Sequence, residues 1–318
     1  MTPTQHRENA RRLRLAPVMV CLLLVGFTGS GCSIRRYALN QFADILSRSG
    51  SAFVSDEDPE LVKAAAPFSL KLLESVLAEV PRHEGLLSAA ASGFAQYAFA
   101  FVQQDADELE AHDLAGAEAL RSRAQRLYLR AQKYGLRGLE AKHPGFSKVL
   151  LVDPKTAVRV ASKADVPLLY WTGAAWAAAI SLSKDKPELI GQIPSMEALI
   201  DRALELDESY GDGAIHSFLI AYEMSRQGAQ GNPEARARFH FDRAIALSEG
   251  NSAGPLVTLA EAVAVQKQDV KEFELLLNRA LAIDPNVNPD SRLLNLVMQR
   301  RARWLLSQKD ELFLIDDK

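Results

Sequence analysis

Beyond the N-terminal residues, two long stretches of this chain carry no charged residue, and they limit the folds open to it more than anything else in the sequence. One is GLLSAAASGFAQYAFAFVQQ, Gly85–Gln104; the other is PLLYWTGAAWAAAISLS, Pro167–Ser183. A helix that is apolar all round is either buried on every side or crosses a membrane. The second stretch is short of the ~20 residues a bilayer requires, and in the first Ser88, Ser92, Gln96, Gln103 and Gln104 argue against lipid. Pro167 suits a first helical turn, Lys184 and Lys186 suit its C-terminal end, and Pro187 stops it. Gly173, Ala174 and Ala177 to Ala179 let neighbouring backbones come close, while Trp171 and Trp176 add bulk and need partners for their indole N–H groups. The membrane reading fails, which leaves a packed core or the wall of a cavity.

The rest of the chain reads as helix upon helix. Alternating β-branched runs are nearly absent; KVLLV, Lys148–Val152, is the one short strand candidate and reads as a connection between Pro144 and Pro154. Internal repetition is the stronger signal. DRALELDE starts at Asp201, DRAIALSE at Asp242 and NRALAIDP at Asn278, and each closes an amphipathic helix. Met196, Leu199, Ile200, Ala203 and Leu204 form one apolar face, with Ser195 as the expected N-cap. Helix pairs at this spacing predict an all-α fold of tetratricopeptide-like hairpins packed into one compact domain over residues 32–318, clearest in 187–285. Glu208 and Glu249 stand where the repeat's terminal proline belongs, so an irregular helical bundle is the competing reading. DADELEAHD, Asp105 to Asp113, lacks the glycine and terminal glutamate of a calcium loop and reads as a solvated helix end or a junction.

The first residues read as a leader. Arg7, Arg11, Arg12 and Arg14 form a basic segment, and Leu15–Phe27 an apolar run too short to span a bilayer comfortably. TGSGCS comes next, and its small-small-Cys junction resembles a bacterial lipobox, which implies a signal peptide over 1–31 and lipidation of Cys32. Plain secretion with a free thiol is the alternative. Cys21 falls within the leader, so Cys32 is left as a lone cysteine that acylation would explain. Ser33 after the cysteine implies, by resemblance to Gram-negative lipoproteins, onward sorting to the inner leaflet of the outer membrane. The whole chain carries a net −3, and removing four Arg and one Glu with the leader makes the mature chain about −6. No nucleic-acid partner is expected from such a balance.

These pieces together carry a resemblance. A lipoprotein leader joined to CSIRRYALNQFADILS, LLESVLAEVPRHEGLLSAAASGFAQYAFAFVQ, PLLYWTGAAWAAAISLSKDKPELIGQIP and repeats ending in RALAIDP resembles the T-component lipoproteins of tripartite ATP-independent periplasmic (TRAP) transporters, the TatT family. The resemblance implies an all-α, tetratricopeptide-like body with a central pore or cavity, and a trimeric assembly. It also implies a periplasmic solute-binding protein as partner and carriage of a hydrophobic organic ligand.

Tyr170, Trp171 and Trp176 are the first candidates for a ligand-facing wall, and Phe94, Tyr97 and Phe101 the next; packed core is the alternative for all six. His216 and Tyr222, within an apolar helix, would supply a cavity's few polar groups, a satisfied buried histidine being the alternative for His216. Arg300, Arg301 and Arg303 in QRRARW offer a surface to an acidic partner, or a solvated helix face. His83, His112, His143, His216 and His240 show no metal-ligand spacing, and no nucleotide or nucleophile motif is present, so neither cofactor nor catalysis is expected. Two functions remain: a lipid-anchored transport accessory that docks the solute-binding protein and shelters an apolar ligand, or an envelope scaffold with no ligand.

Overall fold

The computed structural model describes residues 39–48, 50–183 and 186–314; the leader and Cys32 lie outside them. Helix α1 covers 39–48, α2 Pro59–Glu79, α3 Glu84–Tyr97, α4 Gln104–Leu109 and α5 Leu114–Lys142. Then come α6 Phe146–Val152, α7 Val166–Ser181, α8 Ile193–Leu206 and α9 Tyr210–Glu223. The last four long helices are α10 Pro233–Leu247, α11 Ala253–Leu259, α12 Val270–Leu281 and α13 Arg292–Ser307. Among the described residues there is no strand. Two π-helical turns, Ala98–Gln103 after α3 and Ala260–Ala264 after α11, interrupt otherwise continuous helix.

The helices pack in two layers. In the first, α2 lies on α3, α3 on α7, α7 on α9, α9 on α11 and α11 on α13; α13 then returns to α2 and to the turn Gly50–Val54. That circuit is closed. The second layer backs it from one side, with α5 on α3 and α7, α8 on α7 and α9, α10 on α9 and α11, and α12 on α11 and α13. The three sequence repeats close α8, α10 and α12. Their common alanine, Ala203, Ala244 and Ala280, has no exposed surface in any copy. A small side chain there lets each backing helix come close to the circuit.

The two uncharged segments are both circuit helices. Glu84–Leu109 is long and apolar enough to cross a membrane, yet 61% of its most apolar window is buried inside the fold. α7 starts with Pro167 in its first turn, as expected, and its Gly173 lies against Ile200 of α8. The approach of α5 to α7 is closest of all. A Cβ on Gly135 would lie 1.9 Å from Thr172 Oγ1, and one on Gly138 2.6 Å from Leu168 Cδ2. A side chain at Gly135 would run into the Thr172 hydroxyl, and one at Gly138 would have to displace the end of the Leu168 side chain.

Two local expectations differ from the structure. The KVLLV run is helix α6, neither strand nor connection. Glu140 accepts the backbone N–H groups of Gly145 (2.7 Å) and Ser147 (2.9 Å), Gly145 enters the left-handed region (φ 89°), and Phe146 and Leu150 are buried one turn apart. Ser195 is not a cap: α8 begins two residues earlier, and the Ser195 hydroxyl donates to the Leu150 carbonyl (3.0 Å), tying α6 to α8.

The circuit closes on charge. Arg300 Nη2 reaches Asp105 (3.0 Å) and Glu108 (2.6 Å), and Lys63 Nζ reaches Asp105 (2.8 Å). Arg301 bonds Asp107 (2.7 Å) and Glu261 and lies 4.7 Å over the Trp304 ring. Of the two readings of the acidic run, the junction holds: Asp105, Asp107 and Glu108 form an ion-paired seam with α13. Arg301 is only 12% exposed, so its charge is worth having only while both carboxylates meet it. Arg301→Ala should cost about 3 kcal/mol, at the low end for a buried pair because Arg121 still reaches Asp107. A denaturation midpoint shift with unchanged slope checks this; a midpoint equal to wild type refutes it.

Candidate functional site

An aromatic cluster forms where α7 meets the start of α9. Tyr170 and Trp171 are edge-to-face at 5.0 Å, Tyr170 lies 5.6 Å from Tyr210, and Trp171 Nε1 donates to the Tyr210 hydroxyl (3.1 Å). Tyr210 is held there by an unusual turn. Gly211, Asp212 and Gly213 all take positive φ (56°, 54° and 86°), and a Cβ on Gly213 would meet the backbone of Ala244 at 3.2 Å. Burial pushes the Tyr170 hydroxyl well above its ordinary pKa, so it stays a neutral donor. Trp171 is only partly buried and borders both hydrophobic clusters that flank α7.

The face of α7 that carries Trp171 continues through Ala174 and Ala178, all incompletely buried. On α3 the matching incompletely buried stripe is Ser88, Ser92 and Gln96, and on α9 it is Ala214, Ser217 and Ala221. These stripes are what the backing layer leaves uncovered. They carry no charge. Their side chains are small or neutral: alanine and serine predominate, with Gln96 and Trp171 among them.

The other expected residues are placed differently. Trp176 is 1% exposed and donates its indole N–H to Gln192 Oε1 (3.0 Å), a packed core position. Phe94 is stacked on Tyr134 at 5.8 Å with the Arg130 guanidinium 5.0 Å from its ring centre. Tyr97 and Phe101 pack on each other at 5.8 Å, and both are buried. Tyr222 donates to Glu197 (2.8 Å) and stacks on Phe218. Arg300 and Arg301 are spent on internal carboxylates, so of the arginine run only Arg303 is exposed.

His216 is buried beside a partner that sequence spacing gave no sign of. Its Nδ1 lies 2.8 Å from His240 Nδ1, and its Nε2 3.2 Å from Glu208, which also holds Arg243. The Glu208 carboxylate can only accept, so His216 carries its proton on Nε2 and its bare Nδ1 accepts from His240 Nδ1–H. A second proton would set N–H against N–H. Burial lowers both pKa values, the His216 charge adds to the effect on His240, and His240 falls to about 4. Glu208 opposes the shift on His216, and Glu223 that on His240, without reversing either.

This pair makes stability depend on pH. With native values below the ordinary 6.5, the unfolded chain binds protons the folded chain refuses. The contribution is full above 6.5 and is lost as pH falls toward 4. Melting temperature should fall across that window, and His240→Gln, which keeps an N–H donor but cannot titrate, should flatten the fall. Parallel curves for the two proteins would refute the assignment.

The profile of the TRAP transporter T-component family matches residues 55–313. A protein of Treponema pallidum described as uncharacterized is 29% identical over 303 residues, which covers 90% of this chain and 94% of that one. The family match takes in the uncharged helices, the aromatic cluster, the repeats and the arginine seam: the chain belongs to the TRAP transporter T-component family.

Proposed function

We infer that this accessory component of TRAP transport is a periplasmic lipoprotein, acylated at Cys32 and held in the inner leaflet of the outer membrane. It docks the transporter's solute-binding protein and shelters a hydrophobic organic ligand inside its helical circuit. The circuit and its backing layer are read as tetratricopeptide-like hairpins wound into one closed turn, and assembly as a homotrimer belongs to the same reading. The family is a transport component and not a class of enzyme.

One observation carries the ligand reading: the faces of α3, α7 and α9 that the backing layer leaves open are uncharged and small, with Trp171 among them. An apolar guest needs walls of this kind, with few polar groups to orient it. Tyr170 and Tyr210 supply two hydroxyls at the same place. No energy source is needed in this chain, since a sheltering protein only lowers the cost of moving an apolar molecule through water.

The scaffold reading has an observation of its own. Trp176, Phe94 and Phe101 are all buried within the core. The two readings part on Trp171. The fluorescent fatty-acid analogue cis-parinaric acid should take energy from tryptophan saturably in the wild-type protein. Ala178→Glu, which places a charge on the Trp171 stripe, should abolish this while helix content is unchanged. Absence of saturable transfer in the wild type favours the scaffold.

A further inference from the structure

The segment from Ser147 to Lys163 differs in character from the rest of this acidic protein. It holds Lys148, Lys155, Arg159 and Lys163 against one carboxylate, Asp153. Asp153 is occupied as a helix cap, accepting from Thr156 N–H (3.1 Å). Lys163 pairs with Asp207 (3.1 Å), and Lys155 and Arg159 act on Asp153 only from a distance. Between these cations stand aliphatic side chains that the fold leaves in water. Leu151 is 68% exposed, Val152 84% and Val160 57%. The apolar side of α6 that does serve the fold is the other one, Phe146 and Leu150. An outward aliphatic knuckle ringed by cations has no structural purpose within the described residues.

Its position identifies the occupant. Arg82 donates to the Ala141 carbonyl (3.4 Å) and Arg137 to the Pro81 carbonyl (3.0 Å), so the α2–α3 turn and the end of α5 lie together, and α6 comes at once after α5. Helix α1 is fixed to the same turn, where Asp44 meets His83 at 3.3 Å and Ser47 abuts Gly85. α1 presents Phe42 and Ile45 outward as well. The described chain thus begins at the end of the molecule that carries the knuckle. Cys32 precedes α1 by seven residues, which reach at most about 25 Å.

We propose that this end of the molecule, with Leu151, Val152 and Val160 at its tip and Lys148, Lys155 and Arg159 around them, docks on anionic phospholipid of the membrane that holds Cys32. The proposal rests on the lipid-anchor reading. The tether supplies proximity and the knuckle supplies orientation: aliphatic side chains enter the headgroup region while the cations meet phosphates. A chain held by acyl groups alone would tumble on its linker. One held at two points keeps the axes of α3 and α5 at a set angle to the membrane.

The test uses the full acylated chain with Val152→Cys carrying a bimane label. Cys32 is blocked by its acyl group, and Cys21 leaves with the leader. The protein is placed in vesicles of phosphatidylethanolamine and phosphatidylglycerol with brominated acyl chains. Leu275→Cys, an exposed position on α12, is the control. The label at 152 should be quenched and the one at 275 not, and phosphatidylcholine vesicles should lose the effect. Lys155→Ala with Arg159→Ala should lower the ratio of docked to undocked protein about thirtyfold, at about 1 kcal/mol per cation.

An unquenched label on a chain that bears the acyl mass and floats with the vesicles overturns the proposal and leaves the anchor intact. Shielding of the label without vesicles also overturns it: if shielding rises with protein concentration the patch belongs to a second copy, and if it appears only on adding the solute-binding protein it belongs to that partner. Should Cys32 carry no acyl group, the anchor reading fails by itself. The label is then read on the unacylated chain with Cys32→Ser, so that only position 152 is labelled, with the same vesicles in excess, where quenching upholds docking and its absence overturns it.

Discussion

A long uncharged helical stretch has no side to give to water, and among the described residues two stand out, Gly85–Gln104, which begins in α3, and Pro167–Ser183, which forms most of α7. Each must be covered on nearly its whole circumference. The covering helices, in turn, must be amphipathic, because they face water on their outer side. This division of labour fits the two layers: both long uncharged stretches lie in the circuit, and α5, α8, α10 and α12, with one apolar stripe each, lie behind it. Contact between layers is close where small residues permit it. Gly135 and Gly138 of α5 against α7, and the repeated alanines of α8, α10 and α12, bring helix axes together so that dispersion contacts replace lost hydration.

A layered stack of this sort has two free ends, and here each end is dealt with by joining it to the other. The joint is ionic where the rest of the interior is apolar. Arginine suits it better than lysine would, since its planar fork holds two carboxylates at once, as Arg300 holds Asp105 and Glu108 and Arg301 holds Asp107 and Glu261. The two π turns lie beside the same seam. Asp105, Asp107 and Glu108 come directly after the first, and Glu261 lies within the second. A π turn adds a residue to the helix and so rotates every side chain beyond it, and the side chains rotated by the first turn are the carboxylates that meet α13. The partner role assigned to Arg300 and Arg301 from sequence is therefore in competition with an internal one, and only Arg303 is free of that conflict.

Much of the fold was legible because its cause is local. The span of α7 between Pro167 and Pro187, the periodic face of α8 and the repeated alanines are all written within a few turns of chain. What escaped was written across long separations. Trp171 finds Tyr210, His216 finds His240, and Arg301 finds Asp107 from the other end of the protein. No period or cap reports such a pairing; it exists only once the circuit has closed. Helix α6 escaped for another reason. A run of seven residues is too short to show a helical period, and its cap depends on one side chain, Glu140, reaching forward to Gly145 and Ser147. Of the candidate site, Tyr170 and Trp171 are brought into one cluster, while Trp176, Phe94 and Phe101 are packed elsewhere because their rings fill the gaps between layers.

The two chemistries left over from the core lie at opposite ends of one helix. α5 has 29 residues, a length of about 43 Å. Near its start Arg121 meets Glu110 and Asp107, inside the ionic seam; at its end Lys142 meets the buried Asp165, beside the apolar and basic knuckle. Lys142, Ser162 and His143 together overcome the burial of Asp165 and bring its pKa down to about 2, so that end keeps its internal ion pair at neutral and mildly acidic pH. The circuit helices α3 and α7 start at the knuckle end and finish toward the seam. Under the proposed function, a ligand moving along their uncharged stripes would travel between a pole proposed to meet lipid and a pole of internally paired charges. That polarity comes from the order of covering and closing steps alone: the described chain enters at one end, the charges that close the ring gather at the other, and the uncharged walls run between them.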